Sequence, residues 1–223
     1  MIENHEIDFR ILGEEMQCVE IELDPQETAI GESGSFMMMD REIQMETIFG
    51  DGTQQTGGFL GKLMSAGKRV LTGESLFMTA FTNAGNGKKK VTFAAPYPGK
   101  IIPMDLYRHN GKIICQKDAF LCAAKGVSVG IEFQRKLGTG LFGGEGFIMQ
   151  KLEGDGMAFV HAGGHVIERE LQAGEMLKID TGCIVAFTQT VDYDIQFVGG
   201  IKNTIFGGEG LFFAVLTGPG KVW

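Results

Sequence analysis

The chain has 223 residues, 34 of them Gly against only 5 Pro, and a formal net charge of −8. Gly is about twice its usual share of roughly 7%, but no G-X-Y period exists, so collagen is excluded. The acidic balance opposes non-specific contact with nucleic acid or anionic membranes, and the absence of an apolar run of about 18 residues excludes a membrane-spanning helix.

The N-terminus, Met1 to Glu6, is acidic and lacks the cationic and apolar regions of a secretory signal, so a cytoplasmic location is expected. Residues 19–23 then alternate apolar with charged side chains, the period of a half-buried strand. Phe36-Met37-Met38-Met39 is a short apolar run that reads as a buried strand. Residues 50–58 are polar and Gly-rich, a flexible loop, and lead into 59–71. There Phe59, Leu60, Leu63 and Met64 share one helical face, with Lys62, Lys68 and Arg69 flanking it. Two roles suit this short helix: a cap over an open end of a β unit, or an amphipathic contact surface for a second subunit or a membrane interface.

Next comes Leu71-Thr72-Gly73-Glu74-Ser75, a degenerate form of the tract Phe-Gly-Gly-Glu-Gly that occurs at 142–146 and again at 206–210. The glutamates Glu74, Glu145 and Glu209 are 71 and 64 residues apart. After each comes an apolar strand, then a cluster of Gly, Asn or Asp, then a second strand: 76–78, 83–87 and 91–93; 147–149, 153–156 and 157–159; 211–213, 217–220 and 221–223. Such clusters supply positive φ, and each copy reads as a β-hairpin. Upstream, alternating segments at 102–106 and 167–171 match 19–23, and apolar runs at 120–123 and 183–186 match 36–39. Self-similarity at this spacing signals one structural unit used three times. The units are 1–97, 98–162 and 163–223, with an insertion at about 50–69 in the first.

Chemistry is sparse on this frame. Each repeated glutamate has two readings: a local acceptor for turn N–H groups, or one of three carboxylates brought round a common axis as ligands for a hard cation. The second reading places their carboxyl groups within roughly 5 Å of one point. His161 and His165 are separated by two glycines, the pattern of loop histidines and not the His-x-His of a metal-binding strand face. Cys18, Cys115, Cys122 and Cys183 lie in or beside apolar runs without Cys-x-x-Cys spacing, which reads as reduced, buried thiols. No Gly-x-Ser-x-Gly elbow in strand-turn-helix context occurs, and no Walker lysine follows the Gly-rich tracts. Lys88-Lys89-Lys90 sits at a turn without exposed aromatic partners, since Phe81 and Phe93 fall in core register; this is a solvated face and not an RNA-stacking surface.

The Thr-Gly-Glu-Ser-Leu-Phe segment, the two later Phe-Gly-Gly-Glu-Gly tracts and the threefold layout together resemble the AIM-type mitochondrial-biogenesis family of bacterial and fungal proteins, over about residue 5 to the end. That family looks like a member of the superfamily of the tryptophan RNA-binding attenuator protein. The resemblance implies an all-β fold of three short double-stranded β-helices arranged as a pseudo-trimer. It implies no established reaction and no cofactor. Fungal relatives are associated with the mitochondrial inner membrane, and a chain without an Arg- and Ser-rich transit segment is closer to a bacterial, cytoplasmic member. The expected function is a non-enzymatic scaffold or interaction protein that self-associates as a homo-oligomer or holds a protein partner, with peripheral membrane contact open. The alternative is a small-ligand-binding module with its site between consecutive units.

Overall fold

The computed structural model describes residues 6–49, 77–135, 147–197 and 212–223. The Phe-Gly-Gly-Glu-Gly tracts, Glu74, Glu145 and Glu209, and the segment with Phe59, Leu60, Leu63 and Met64 all lie outside these residues.

The fold is all-β. The strands are β1 (Asp8–Leu12), β2 (Cys18–Leu23), β3 (Thr28–Glu32), β4 (Phe36–Met39), β5 (Ile43–Phe49), β6 (Phe77–Asn83), β7 (Lys89–Ala94), β8 (Gly99–Asp105), β9 (Lys112–Gln116) and β10 (Phe120–Ala124). They continue as β11 (Ser128–Arg135), β12 (Phe147–Glu153), β13 (Met157–Gly163), β14 (Arg169–Leu171), β15 (Met176–Asp180), β16 (Ala186–Thr188), β17 (Asp192–Phe197), β18 (Phe212–Thr217) and β19 (Gly220–Val222). Short 3-10 turns at Leu106–His109, Lys117–Ala119 and Thr181–Cys183 join some of them.

Among the described residues four sheets form, every pairing antiparallel. Their orders are β1-β2-β7-β4, then β5-β6-β3-β10-β13-β8, then β11-β12-β9-β16-β19-β14, then β15-β18-β17. Three apolar clusters join them face to face. Val19, Ile21 and Phe93 of the first sheet pack with Ala29, Phe81 and Phe159 of the second. Ile30, Met104, Ala123 and Val160 of the second share a core with Ile113, Cys115, Leu152 and Ala186 of the third. Ile114, Met149 and Phe187 of the third meet Ala214 and Leu216 of the fourth. The two middle sheets are thus covered on both faces, which is why β10 reads Phe-Leu-Cys-Ala-Ala with every residue buried. By contrast β2 keeps a strict alternation, with Val19, Ile21 and Leu23 buried and its glutamates turned outward. Burial of each large side chain such as Phe93 contributes about 1.5–3 kcal/mol, and truncation of Phe93 to Ala costs about 3–5 kcal/mol.

The expected hairpins do not form. The strands on either side of each Gly- and Asn-rich turn do not pair with one another. β6 pairs with β5 and β3, whereas β7 pairs with β2 and β4. Likewise β12 and β13 belong to different sheets, as do β18 and β19. These turns are arches that carry the chain from one layer to the facing one. A Gly- and Asn-rich turn reverses the chain in either case; here both flanking strands take other edge partners while their apolar faces meet across the core.

The middle sheets are continuous because two strand pairs bridge sequence-distant segments. β3 joins β10 through Ala29↔Ala124, Ile30↔Ala123 and Gly31↔Cys122. β9 joins β16 through Ile113↔Thr188, Ile114↔Phe187 and Cys115↔Ala186. Gly31 of β3 also has no room for a side chain toward the first sheet, because a Cβ there would lie 2.5 Å from Phe93 Cε1.

Candidate functional site

An exposed apolar edge stands out. β4 ends the first sheet, paired on one side with β7 and on the other with no strand among the described residues. All four of its residues, Phe36, Met37, Met38 and Met39, are exposed, at 39%, 54%, 50% and 36%. The expectation of a buried strand at 36–39 therefore fails. The run has the composition of a core strand, but burial also requires a neighbour on its open side. Phe36 still stacks on Phe81 with ring centroids 5.4 Å apart, so part of the strip touches the core between the first two sheets. Met45 of β5 is half exposed as well. Methionine suits a contact surface because its unbranched, polarisable side chain adapts to different partners.

The lysine cluster is neutralised. Lys88 Nζ lies 2.9 Å from both Asp8 and Glu22, Lys89 lies 3.1 Å from Glu42, and Lys90 lies 2.9 Å from Glu20. The hydrogen bonds that the Lys88 ammonium donates to Asp8 and Glu22 hold its pKa well above the ordinary range. Glu20 also accepts from Arg10 at 2.8 Å, and these two cations hold its carboxyl below the usual value. Phe81 and Phe93 are buried, as their register implied, and form an edge-to-face pair at 5.1 Å. Nothing at this turn offers a base-stacking surface.

A shallow polar cleft of about 210 Å³ lies where the turn at Arg108–Asn110 meets Glu170, Thr188–Thr190 and Gly220–Lys221. Its cations are engaged: Arg108 Nε is 3.0 Å from Asp105, and Lys221 pairs with Glu168 and lies 4.9 Å over the Trp223 ring. His109 packs edge-on against Trp223 at 5.4 Å, and burial, followed by the nearby Lys221, lowers its pKa.

Two sequence expectations need correction. His161 is not a loop residue: it stands on β13, 2% exposed, beside the Tyr97 ring at 4.5 Å, whereas His165 is exposed. The two do not share a strand face, as expected from the intervening glycines. Cys115 and Cys122 are buried and burial pushes both thiols up, but Cys183 is exposed, and all four cysteines are free. Among the described residues no group of three His, Cys, Asp or Glu side chains is placed to hold a metal, and no helix is long and apolar enough to cross a membrane. Sequence reasoning missed Glu32, a half-buried carboxyl at the end of β3 whose pKa burial and the nearby Asp118 raise to about 7. It also missed Asn83, fully buried at an arch.

The family described as Mitochondrial biogenesis AIM24 matches residues 9–223. The chain belongs to the AIM24 family. An uncharacterised protein of Streptococcus pyogenes serotype M6 is 30% identical to this AIM24 chain over 208 residues, 92% of this chain and 79% of the relative. A crystal structure of a Streptococcus pyogenes protein superimposes with a TM-score of 0.74 at 24% identity, covering 97% of this chain and 91% of that one, a likeness of fold. The AIM24 membership and these relatives indicate no specific activity.

Proposed function

We propose that this chain is a scaffold or interaction protein, a rigid β platform of three modules that works by presenting surfaces to other polypeptides in the cytoplasm. The observation that carries the reading is the exposed methionine strip on β4, whose outer edge is unpaired among the described residues. Open edges with apolar side chains attract further strands, and natural proteins usually blunt or cover them.

The modular part of the proposal is supported by strand order. Within the sheets the series β2-β7-β4, β8-β13-β10 and β14-β19-β16 repeats with a step of six strands, and so does β5-β6-β3, β11-β12-β9 and β17-β18-β15. Each module, on boundaries 1–97, 98–162 and 163–223, then contributes one three-stranded half to each of two facing sheets. The paired lysines at 88–90 argue against a nucleic-acid partner.

A photo-crosslinking amino acid at Met37 in the full chain, expressed in its own host, tests the reading. Covalent adducts with polypeptide are expected; a chain that forms none overturns it, and a small molecule retained in native mass measurement then favours a ligand site. The cleft between Arg108 and Lys221 favours a second reading, a small-ligand site between the second and third modules. Its volume falls below the roughly 300–1,000 Å³ of ordinary ligand pockets, which ranks it second.

A further inference from the structure

We propose that the β4 edge of one chain receives the β15 edge of a second copy, so that chains join head to tail through continuous sheets. The inference rests on the modular reading above. If each module has a β3-type edge and a β4-type edge, three modules have six. Four of them are used within the chain, by β3 with β10 and by β9 with β16. The remaining two are β4 and β15, and among the described residues β4 pairs only with β7 and β15 only with β18.

The two internal junctions have the same register. Adding 84 to the β3 numbers and 64 to the β10 numbers converts Ala29↔Ala124, Ile30↔Ala123 and Gly31↔Cys122 into Ile113↔Thr188, Ile114↔Phe187 and Cys115↔Ala186 without a slip. The same shifts, 64 forward from β9 and 84 back from β10, define the third junction. Leu177 falls opposite Asp40, Lys178 opposite Met39, and Ile179 opposite Met38.

Backbone polarity agrees independently of the numbering. Asp40 N–H donates to Lys90 C=O at 2.9 Å, so by strand alternation the N–H and C=O of Met39 face the open edge. Gly218 N–H donates to Glu175 C=O at 2.9 Å, which likewise turns the backbone groups of Lys178 toward the open edge of β15. The two residues with outward backbone groups are thus the ones brought face to face.

Burial states the need for the partner. Leu121, Cys122 and Ala123 are 2%, 0% and 0% exposed, and Ala186 and Phe187 are both 0%. Met37, Met38 and Met39, at the matching positions of β4, are 36–54% exposed. The side chains are apolar in all three; what differs is the adjoining strand. Lys178 stands where the internal junctions have Ile30 and Ile114. A charge on an edge strand limits indiscriminate pairing, and its stem can still cover apolar surface while the ammonium reaches water. A heterologous contact of this kind either closes into a ring or runs on as a filament.

Proline at either edge removes a donor that no described residue uses, because both N–H groups face outward. In the full chain, M39P and K178P should therefore stay folded, with the β-sheet circular dichroism of the parent, and lose only the stability that assembly adds. The parent is expected to sediment as an assembly of two or more chains, and each variant at the 24.2 kDa of one chain. An equimolar mixture of the two variants should form heterodimers and nothing larger, since each brings one intact edge. Should either proline unfold the chain, M38C and I179C chains in a C183S background serve instead: on oxidation, disulfide dimers should form between the two species and within neither alone. A monomeric parent, an assembly that survives either proline, or a variant mixture without heterodimers overturns the inference. A Met37 crosslink to a different protein from a monomeric parent also overturns it, while leaving the scaffold reading in place; no crosslink at all removes both.

Discussion

The side-chain amide of Asn83 donates to the Leu23 carbonyl at 2.9 Å, joining the end of β6 in the second sheet to the end of β2 in the first. The same amide donates to Gly87 C=O at 2.8 Å, and its oxygen accepts from Gly85 N–H at 2.9 Å. One fully buried side chain thus satisfies three backbone groups where the chain crosses between layers. Asn83→Ala should lower unfolding free energy by about 2–3 kcal/mol, the cost of leaving buried groups unpaired, read from urea denaturation midpoints. Asn83→Asp keeps the acceptor but loses both donors, and should be no milder. A cost near zero for the Ala variant would show that the arch is held by packing alone.

Glu32 predicts a pH dependence. Burial first, and then the nearby Asp118, raises its pKa from 4.5 to about 7, with Lys117 opposing. The folded chain therefore holds a proton that the unfolded chain releases between those two values. Stability contributed by this group is complete below about pH 4.5 and is lost as pH rises through about 7. Glu32→Gln should remove that slope and raise stability at pH 8 by about 1–2 kcal/mol, a figure reduced for the partial exposure of the side chain. Thermal melts of parent and variant from pH 4.5 to 8 make the comparison; parallel curves across the window would refute the assignment.

Much of this fold can be read in the sequence, and the failures share a cause. The alternation at 19–23 and the apolar run at 120–123 became β2 and β10 because a strand's own side chains dictate which faces are dry. The Asn83–Gly87 cluster announced a reversal correctly, but a reversal does not specify whether its flanking strands share a sheet. Phe36–Met39 read as core because composition records what a strand could bury, while burial also depends on a neighbouring edge. His161 looked like a loop residue because Gly163 and Gly164 follow it, yet β13 runs on to Gly163 by pairing with Gly99. Glu32 gave no sequence signal, since its environment comes from Asp118, distant in sequence.

Gly31 should resist substitution. Its Cβ position lies 2.5 Å from Phe93 Cε1 and 3.1 Å from Cδ1, so any side chain displaces the ring from the core between the first and second sheets. Gly31→Ala should cost about 1–3 kcal/mol through overpacking. Phe93→Leu relieves the clash, so the double variant should be more stable than the sum of the two single losses, a coupling of about 0.5–3 kcal/mol. Strict additivity in denaturant titrations would show that the ring is not what the added methyl meets.

His161 predicts a loss of stability toward acid pH. It is 2% exposed on β13, and neither ring nitrogen has a well-formed hydrogen bond. Burial is the main cause that lowers its pKa below the ordinary 6.5, a Tyr97 backbone group opposing weakly. The unfolded chain then takes up a proton that the folded chain refuses, so the sign is opposite to that at Glu32. Stability contributed by this group is complete above about pH 6.5 and declines as pH falls through the window between the unfolded and folded values. The neutral ring is costly as well, because its unpaired nitrogens forgo bonds to water worth about 1–3 kcal/mol. Replacement by a flat apolar ring, His161→Phe, should therefore hold or raise stability at pH 8 and weaken the acid decline. Combined with Glu32→Gln, it should flatten the profile at both ends. If His161→Phe left the decline below pH 6.5 unchanged, the acid limit would belong to other groups.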